Sequence, residues 1–366
     1  MKKGNIGSQI PAKAIHPGTV LKKELEYRGI KQRELAGELG IAPTQLNDIL
    51  KGKRNISAQL AVLLEAALGN TAIYWMNLQG KYELNRAKLD RKLQKKAEEL
   101  ELWKQIKKYI PFSYFRKVKV LVDDKKKDIP MIFNIYGVNK VEELATIELA
   151  GIERFKKSSA HAVDDVNTTG WVQFIRFLAK QKKVRPFSFD IEDTLIMELK
   201  QVFFEEKVLE KVEALFAKYG IIFVVQPKPD KVPVDGITFW LDKNPVIAVT
   251  TRYKRLDNLA FTILHELGHI FLHLKNDKKK EFIDDVESSK SKEFREEVEA
   301  NIYAENNLIP KVEWEVLTRT TSKFSSGIIK EFAAEVNIHP AIALGRLKKE
   351  QNEYYRRRFS IDNTIY

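Results

Sequence analysis

A mainly helical chain with one small β-sheet, an α+β fold, is what this sequence predicts. Three observations predict it. Apolar residues recur at helical spacing along most of the 366 residues. The pattern turns strand-like only between Ile221 and Val249. The length exceeds one ordinary domain and suits two or three.

The helical part begins with short elements and tight punctuation. Pro17 to Arg28 reads as a first helix, with proline in its first turn and Gly29 at its end. Lys31 to Leu39 and Ala42 to Leu50 follow, stopped by Gly40 and Gly52. A fourth helix starts after Ser57, an N-cap residue, and ends at Gly69. Leu35, Ala36, Leu39, Ile41, Leu46, Ile49 and Leu50 can form one small core. Residues 71–110 continue as helix, and the charged stretch Asn85 to Lys108 reads as a connecting arm. Helical patterns follow at Val138 to Arg154, Gly170 to Gln181 and Ile191 to Tyr219.

The strands are expected at 221–225, 236–241 and 246–249, with a turn at Asp242-Lys243-Asn244-Pro245. A strong helix from Asp257 to His273 comes next. A lysine-rich loop, Lys275 to Lys292, then leads to a helix from Glu293 to Asn306. Two more helical patterns lie near Ser325–Val336 and Pro340–Tyr354.

Composition narrows the function. The net charge is +13, which draws a protein to polyanions, nucleic acid first. There is no cysteine, so no disulfide framework exists and any zinc must be held by His and carboxylate. No apolar run suits a secretory signal or a membrane span. These features fit a cytoplasmic protein.

The chemistry concentrates at His265-Glu266-Leu267-Gly268-His269. Two histidines four apart on a helix share a face and can bind one tetrahedral ion. Glu266 can reach a metal-activated water as general base. The helix around them is apolar nearly all round, and buried polar groups there are costly unless something pairs with them. A catalytic site needs a third ligand and an open position. Glu297 is one turn from Asn301, so Glu297 can bind the metal while Asn301 orients a ligand histidine. Glu293, Glu296 and Glu299 are rivals for the ligand role. Small Ala300 and Ala304 allow the two helices to pack closely. His273 extends the His269 face and reads as a supporting histidine, since a fourth ligand would close the site. Tyr303 and Arg252 are the candidates for stabilising an oxyanion.

A second constellation lies near the N-terminus. The second and third helices, joined through Gly40-Ile41, have helix-turn-helix spacing. Ala42 to Leu50 would be the recognition helix, offering Thr44, Gln45, Asn47 and Asp48. Gln45 and Asn47 suit base edges. Gln32, Lys51, Lys53 and Arg54 suit phosphates.

Two resemblances carry these readings further. Phe261 through His273, with Glu297-Val298-Glu299-Ala300-Asn301-Ile302-Tyr303-Ala304 and Leu308-Ile309-Pro310, resembles the ImmA/IrrE metallopeptidase family. That resemblance spans roughly residues 190–350. It implies a reduced thermolysin-like zinc peptidase, with Glu297 as third zinc ligand. It also implies cleavage of a helix-turn-helix repressor under stress. Ile15-His16-Pro17-Gly18, the helix pair, Gly52-Lys53-Arg54 and Tyr74 to Gln79 resemble the HigA-type antitoxin branch of the XRE helix-turn-helix family. This implies a five-helix domain that binds double-stranded operator DNA, usually as a homodimer.

The expected organisation is therefore a helix-turn-helix domain at 10–85, a connector at 86–110 and a helical region at 111–190. A zinc peptidase domain at 191–350 and a basic tail at 351–366 complete it. The expected function is a DNA-binding regulator with a zinc endopeptidase that cuts a repressor, a toxin or itself. Its rival is a non-enzymatic antitoxin and autorepressor whose peptidase-like domain only binds a partner or signal.

Overall fold

The computed structural model describes residues 12–158, 165–230, 232, 234–250, 254–285 and 295–365. The chain divides into two compact units, Met1–Leu102 and Trp103–Tyr366.

The first unit holds α1 (Pro17–Arg28), α2 (Gln32–Glu38), α3 (Pro43–Leu50), α4 (Ala58–Leu68) and α5 (Ala72–Leu89). Local chemistry sets the ends. His16 Nδ1 accepts from the Gly18 amide at 3.0 Å, capping α1 ahead of Pro17. Ser57 caps α4 through the Leu60 amide, 3.2 Å away. Leu21, Leu35, Leu46, Ile49, Leu64 and Trp75 are buried together in one core. A Cβ on Gly18 would sit 1.8 Å from the Ile49 carbonyl oxygen, so α1 and α3 touch backbone to side-chain-free backbone.

The expected continuous helix over 71–110 is interrupted. Asp90 has an extended backbone, and its carboxylate accepts from the Lys92 and Leu93 amides at 2.9 and 3.3 Å. It starts a new helix, α6 (Arg91–Ile106). Composition favoured helix throughout and hid this cap.

The second unit continues with α7 (Phe112–Lys117), α8 (Lys125–Tyr136), α9 (Val141–Ser158) and α10 (Asp165–Ala179). The pattern read as one helix from Ile191 to Tyr219 is two, α11 (Glu192–Val202) and α12 (Val208–Lys218). Lys207 between them takes a left-handed backbone, φ 54°, which ends helical continuity.

The sheet comprises β1 (Ile222–Val225), β2 (Val234–Leu241), β3 (Asn244–Val249) and β4 (Glu281–Asp285). Their spatial order is β1-β3-β2-β4. β1 lies parallel to β3, with Ile222 opposite Val246. β2 is antiparallel to β3 and to β4. The turn between β2 and β3 is shorter than expected, because Asn244 and Pro245 already pair with Leu241 and Trp240. β4 is a correction: it occupies part of the stretch expected to be a lysine-rich loop.

α13 (Leu256–Gly268) crosses the sheet and continues as a π-helical turn, His269–Leu274. α14 (Arg295–Leu308) packs beside it. A Cβ on Gly268 would lie 3.1 Å from Ala300 Cα, so only small residues permit this approach. α15 (Lys311–Thr320), α16 (Ser326–Glu335), α17 (Pro340–Glu350) and α18 (Asn352–Tyr355) close the core. Ile263, Leu264, Leu267, Ile270 and Ala304 lie within it. Full burial of each large side chain is worth about 1.5–3 kcal/mol.

The basic tail is not free of the fold. Asn363 accepts the Leu256 amide on its carbonyl at 3.1 Å and the Asp257 amide on Oδ1 at 3.0 Å. Ile365 is buried in the same core. Among the described residues no helix is long and apolar enough to cross a membrane.

Candidate metal centre

α13 presents His265 and Glu266, the π-helical turn that continues it presents His269, and all three are buried, as the apolar surround required. The Nε2 atoms of His265 and His269 are 3.0 Å apart. α14 brings Glu297 over them, 3.2 Å from His265 and 3.5 Å from His269. One donor atom from each of the three lies within 4.8 Å of the others, the one such group among the described residues. Of the rival glutamates, Glu296 pairs with Lys280 and Glu299 with His273 and Arg295. Glu293 lies outside the described residues.

The electrostatics suit a cation. Burial, the largest influence, pushes His269 down to about 4 against the pull of Glu297. Burial pushes the Glu297 carboxyl up, but His265 and His269 outweigh it and hold the group down at about 2. At neutral pH an uncharged His269 thus faces an ionised Glu297. His265 Nδ1 lies 3.0 Å from Asn301 Oδ1. An amide oxygen only accepts, so the imidazole proton sits on Nδ1 and Nε2 turns a lone pair toward Glu297. A lone pair and a carboxylate at that distance call for a positive charge between them. Two imidazoles and one carboxylate, with no thiolate, are a donor set for zinc. The residues fit the metal.

Glu266 is seated against β2. A Cβ on Gly236 would meet its Oε1 at 2.0 Å, so the carboxylate occupies the space that a glycine leaves. Phe282 of β4 stacks on His269, ring centres 4.1 Å apart and 13° between planes. Neither Gly236 nor Phe282 was anticipated. A glycine inside a strand is itself a signal of close approach by another group.

Other expected residues fall elsewhere. His273 Nδ1 is 3.0 Å from His269 Nδ1. The Tyr303 hydroxyl donates to Glu192 at 2.9 Å. Arg252 lies outside the described residues. A cleft of about 640 Å³ opens alongside, lined in part by Asp235, Phe261, Thr262, Asn301, Glu305 and Arg346.

In the first unit, Thr44, Gln45, Asn47 and Asp48 all lie on α3, opposite buried Leu46, Ile49 and Leu50. Thr44 is exposed, while Gln45, Asn47 and Asp48 are half-buried. Gln32 opens α2, and Gln32, Lys51, Lys53 and Arg54 are exposed. The Asp48 carbonyl accepts the Lys53 and Arg54 amides at 2.8 and 3.2 Å, which holds that basic turn against α3.

Comparison with known proteins agrees with this division. Residues 21–75 match the family model described as helix-turn-helix. Residues 217–348 match the model described as IrrE N-terminal-like domain, which carries a metallopeptidase-like fold. Virulence-associated protein I of Dichelobacter nodosus is 37% identical over 79 residues, covering 21% of this chain and 73% of that protein. Antitoxin HigA-1 of Vibrio cholerae is 37% identical over 68 residues, covering 18% of this chain and 64% of that protein. A solved structure of Pseudomonas aeruginosa antitoxin HigA with higBA promoter is 36% identical. It covers 24% of this chain and 95% of its own, with a TM-score of 0.22.

Proposed function

Because the chain belongs to the helix-turn-helix family through its N-terminal unit and carries an IrrE N-terminal-like domain, we propose that it is a DNA-binding regulator with a zinc-dependent endopeptidase. The endopeptidase cuts a regulatory protein: a helix-turn-helix repressor, a toxin or this chain itself. The observation that carries the reading is the convergence of His265, His269 and Glu297 on one point, with Glu266 buried beside them.

His265, His269 and Glu297 would hold the zinc. When bound, it supplies Lewis-acid polarisation of a scissile carbonyl and lowers the pKa of water. Glu266 takes the proton of the attacking water and passes it to the leaving amine nitrogen. Asn301 keeps His265 in the tautomer that can ligate. A polypeptide segment would approach from the cleft that Asn301 lines, since Asn301 also meets His265.

The test is incubation of the zinc-loaded chain with helix-turn-helix proteins and toxins encoded beside it. One specific cut, stopped by a chelator and restored by zinc, is expected. A chain that takes up no zinc, or a cut indifferent to chelation, removes the peptidase assignment.

The N-terminal unit reads double-stranded operator DNA, with α3 in the major groove and Lys53 and Arg54 at phosphates. Binding should therefore weaken steeply with salt. Replacing Lys53 and Arg54 by alanine should lower the slope of log K against log salt by about 2. A slope unchanged in the double variant would contradict this docking.

A further inference from the structure

His269 and His273 stand where the site helix widens into its π-helical turn, a rare geometry that recurs at functional sites. Their Nδ1 atoms are 3.0 Å apart, so one donates and the other accepts. The choice between them is made farther out. His273 Nε2 is 3.2 Å from Glu299 Oε2. A carboxylate only accepts, so the His273 proton sits on Nε2. With a single N–H on His273, held on Nε2 by Glu299, its Nδ1 accepts and His269 Nδ1 donates. His269 is left with a lone pair on Nε2, directed at Glu297 and His265. Glu299 is itself held by Arg295 Nε at 2.6 Å, and the Arg295 side chain is 90% exposed. A line of hydrogen bonds thus runs from the Nδ1 of a buried ligand histidine to the protein surface. Phe282 stacks on His269 and tilts across His273, fixing the plane in which this line acts.

We infer that His273 and Glu299 are positioning residues that lock His269 in its zinc-binding tautomer. The inference rests on the metal-site reading above. It adds that the affinity of the buried site is set in part by a carboxylate near the surface, on the same helix as Glu297. Asn301 does the corresponding work for His265 in one step. His269 needs two, because the helix turn places another imidazole behind it.

The test is zinc titration of the full chain against a competing chelator. His273→Leu should weaken zinc binding by about 10- to 100-fold, the usual effect of losing such a partner. His273→Gln should bind within a few-fold of the parent, since its amide oxygen can accept from His269 and its amide nitrogen can donate to Glu299. Glu299→Ala should weaken binding by about tenfold, while Glu299→Gln, which still offers an acceptor, should not. Zinc affinity of His273→Leu equal to the parent overturns the inference. So does a His273→Gln variant as weak as His273→Leu, which would reduce the residue to packing. Where His273→Leu fails to fold, the Glu299 pair decides, because the Glu299 side chain is 37% exposed. A parent chain that binds no zinc, or a His269→Ala variant that binds it normally, defeats the site itself and is distinct from failure of the relay.

Discussion

Glu266→Gln should keep zinc bound near parental affinity while peptide cleavage falls by about 10²- to 10⁴-fold, the span that general-base catalysis contributes. Glutamine fills the same volume, and Glu266 is fully buried, so the helix packing survives the change. What is lost is the basic oxygen. The three donors are His265, His269 and Glu297, and none is altered. Zinc content by elemental analysis and cleavage by gel separate the two effects. Parental cleavage by a zinc-loaded Glu266→Gln chain would remove Glu266 from the chemistry.

Gly236→Ala should be nearly as damaging, from the other side of the carboxylate. The three atoms its Cβ would meet first all belong to Glu266, at 2.0, 2.9 and 3.1 Å. Overpacking of this kind costs about 1–3 kcal/mol. A misplaced base also loses rate, since an error of about 1 Å can cost about a hundredfold. Thermal denaturation of a double-mutant cycle isolates the cause. Once Glu266 is trimmed to alanine, adding Gly236→Ala should cost little more. A penalty of the same size in both backgrounds would show that Gly236 is constrained by something else.

Much of the site was legible because it is local. Two histidines and a glutamate within one helical turn fix their mutual geometry before any tertiary contact forms. The surrounding apolar residues announced that the turn would be buried. The third donor was harder, because three glutamates, Glu296, Glu297 and Glu299, crowd the start of α14. Its face decides the matter: Glu297, Ala300, Asn301 and Ala304 are spaced i, i+3, i+4 and i+7. The two alanines mark the side that meets α13, where both are fully buried. A carboxylate off that stripe meets solvent cations instead, as Glu296 does with Lys280.

Other features depended on distant partners. β4 contains two apolar residues among three acidic ones in a lysine-rich stretch, and only pairing with β2 makes it a strand. Edge strands are charged in this way because charge discourages further pairing. The role of Gly236 needed Glu266 across the sheet. The break at Asp90 needed its side chain to turn back on the following amides.

The cap that Asn363 places on α13 has a consequence for synthesis. It joins residues 106 positions apart in sequence. At about 5–20 residues per second, the ribosome needs on the order of 5–20 s to supply Asn363 after Asp257 has been made. Until then the helix bearing His265 lacks the partner that closes its first turn. The helix-turn-helix unit draws its core from Leu21 to Trp75 and meets no such delay. Each newly made chain should therefore pass through an interval in which its N-terminal unit is folded and its candidate metal centre is not yet assembled.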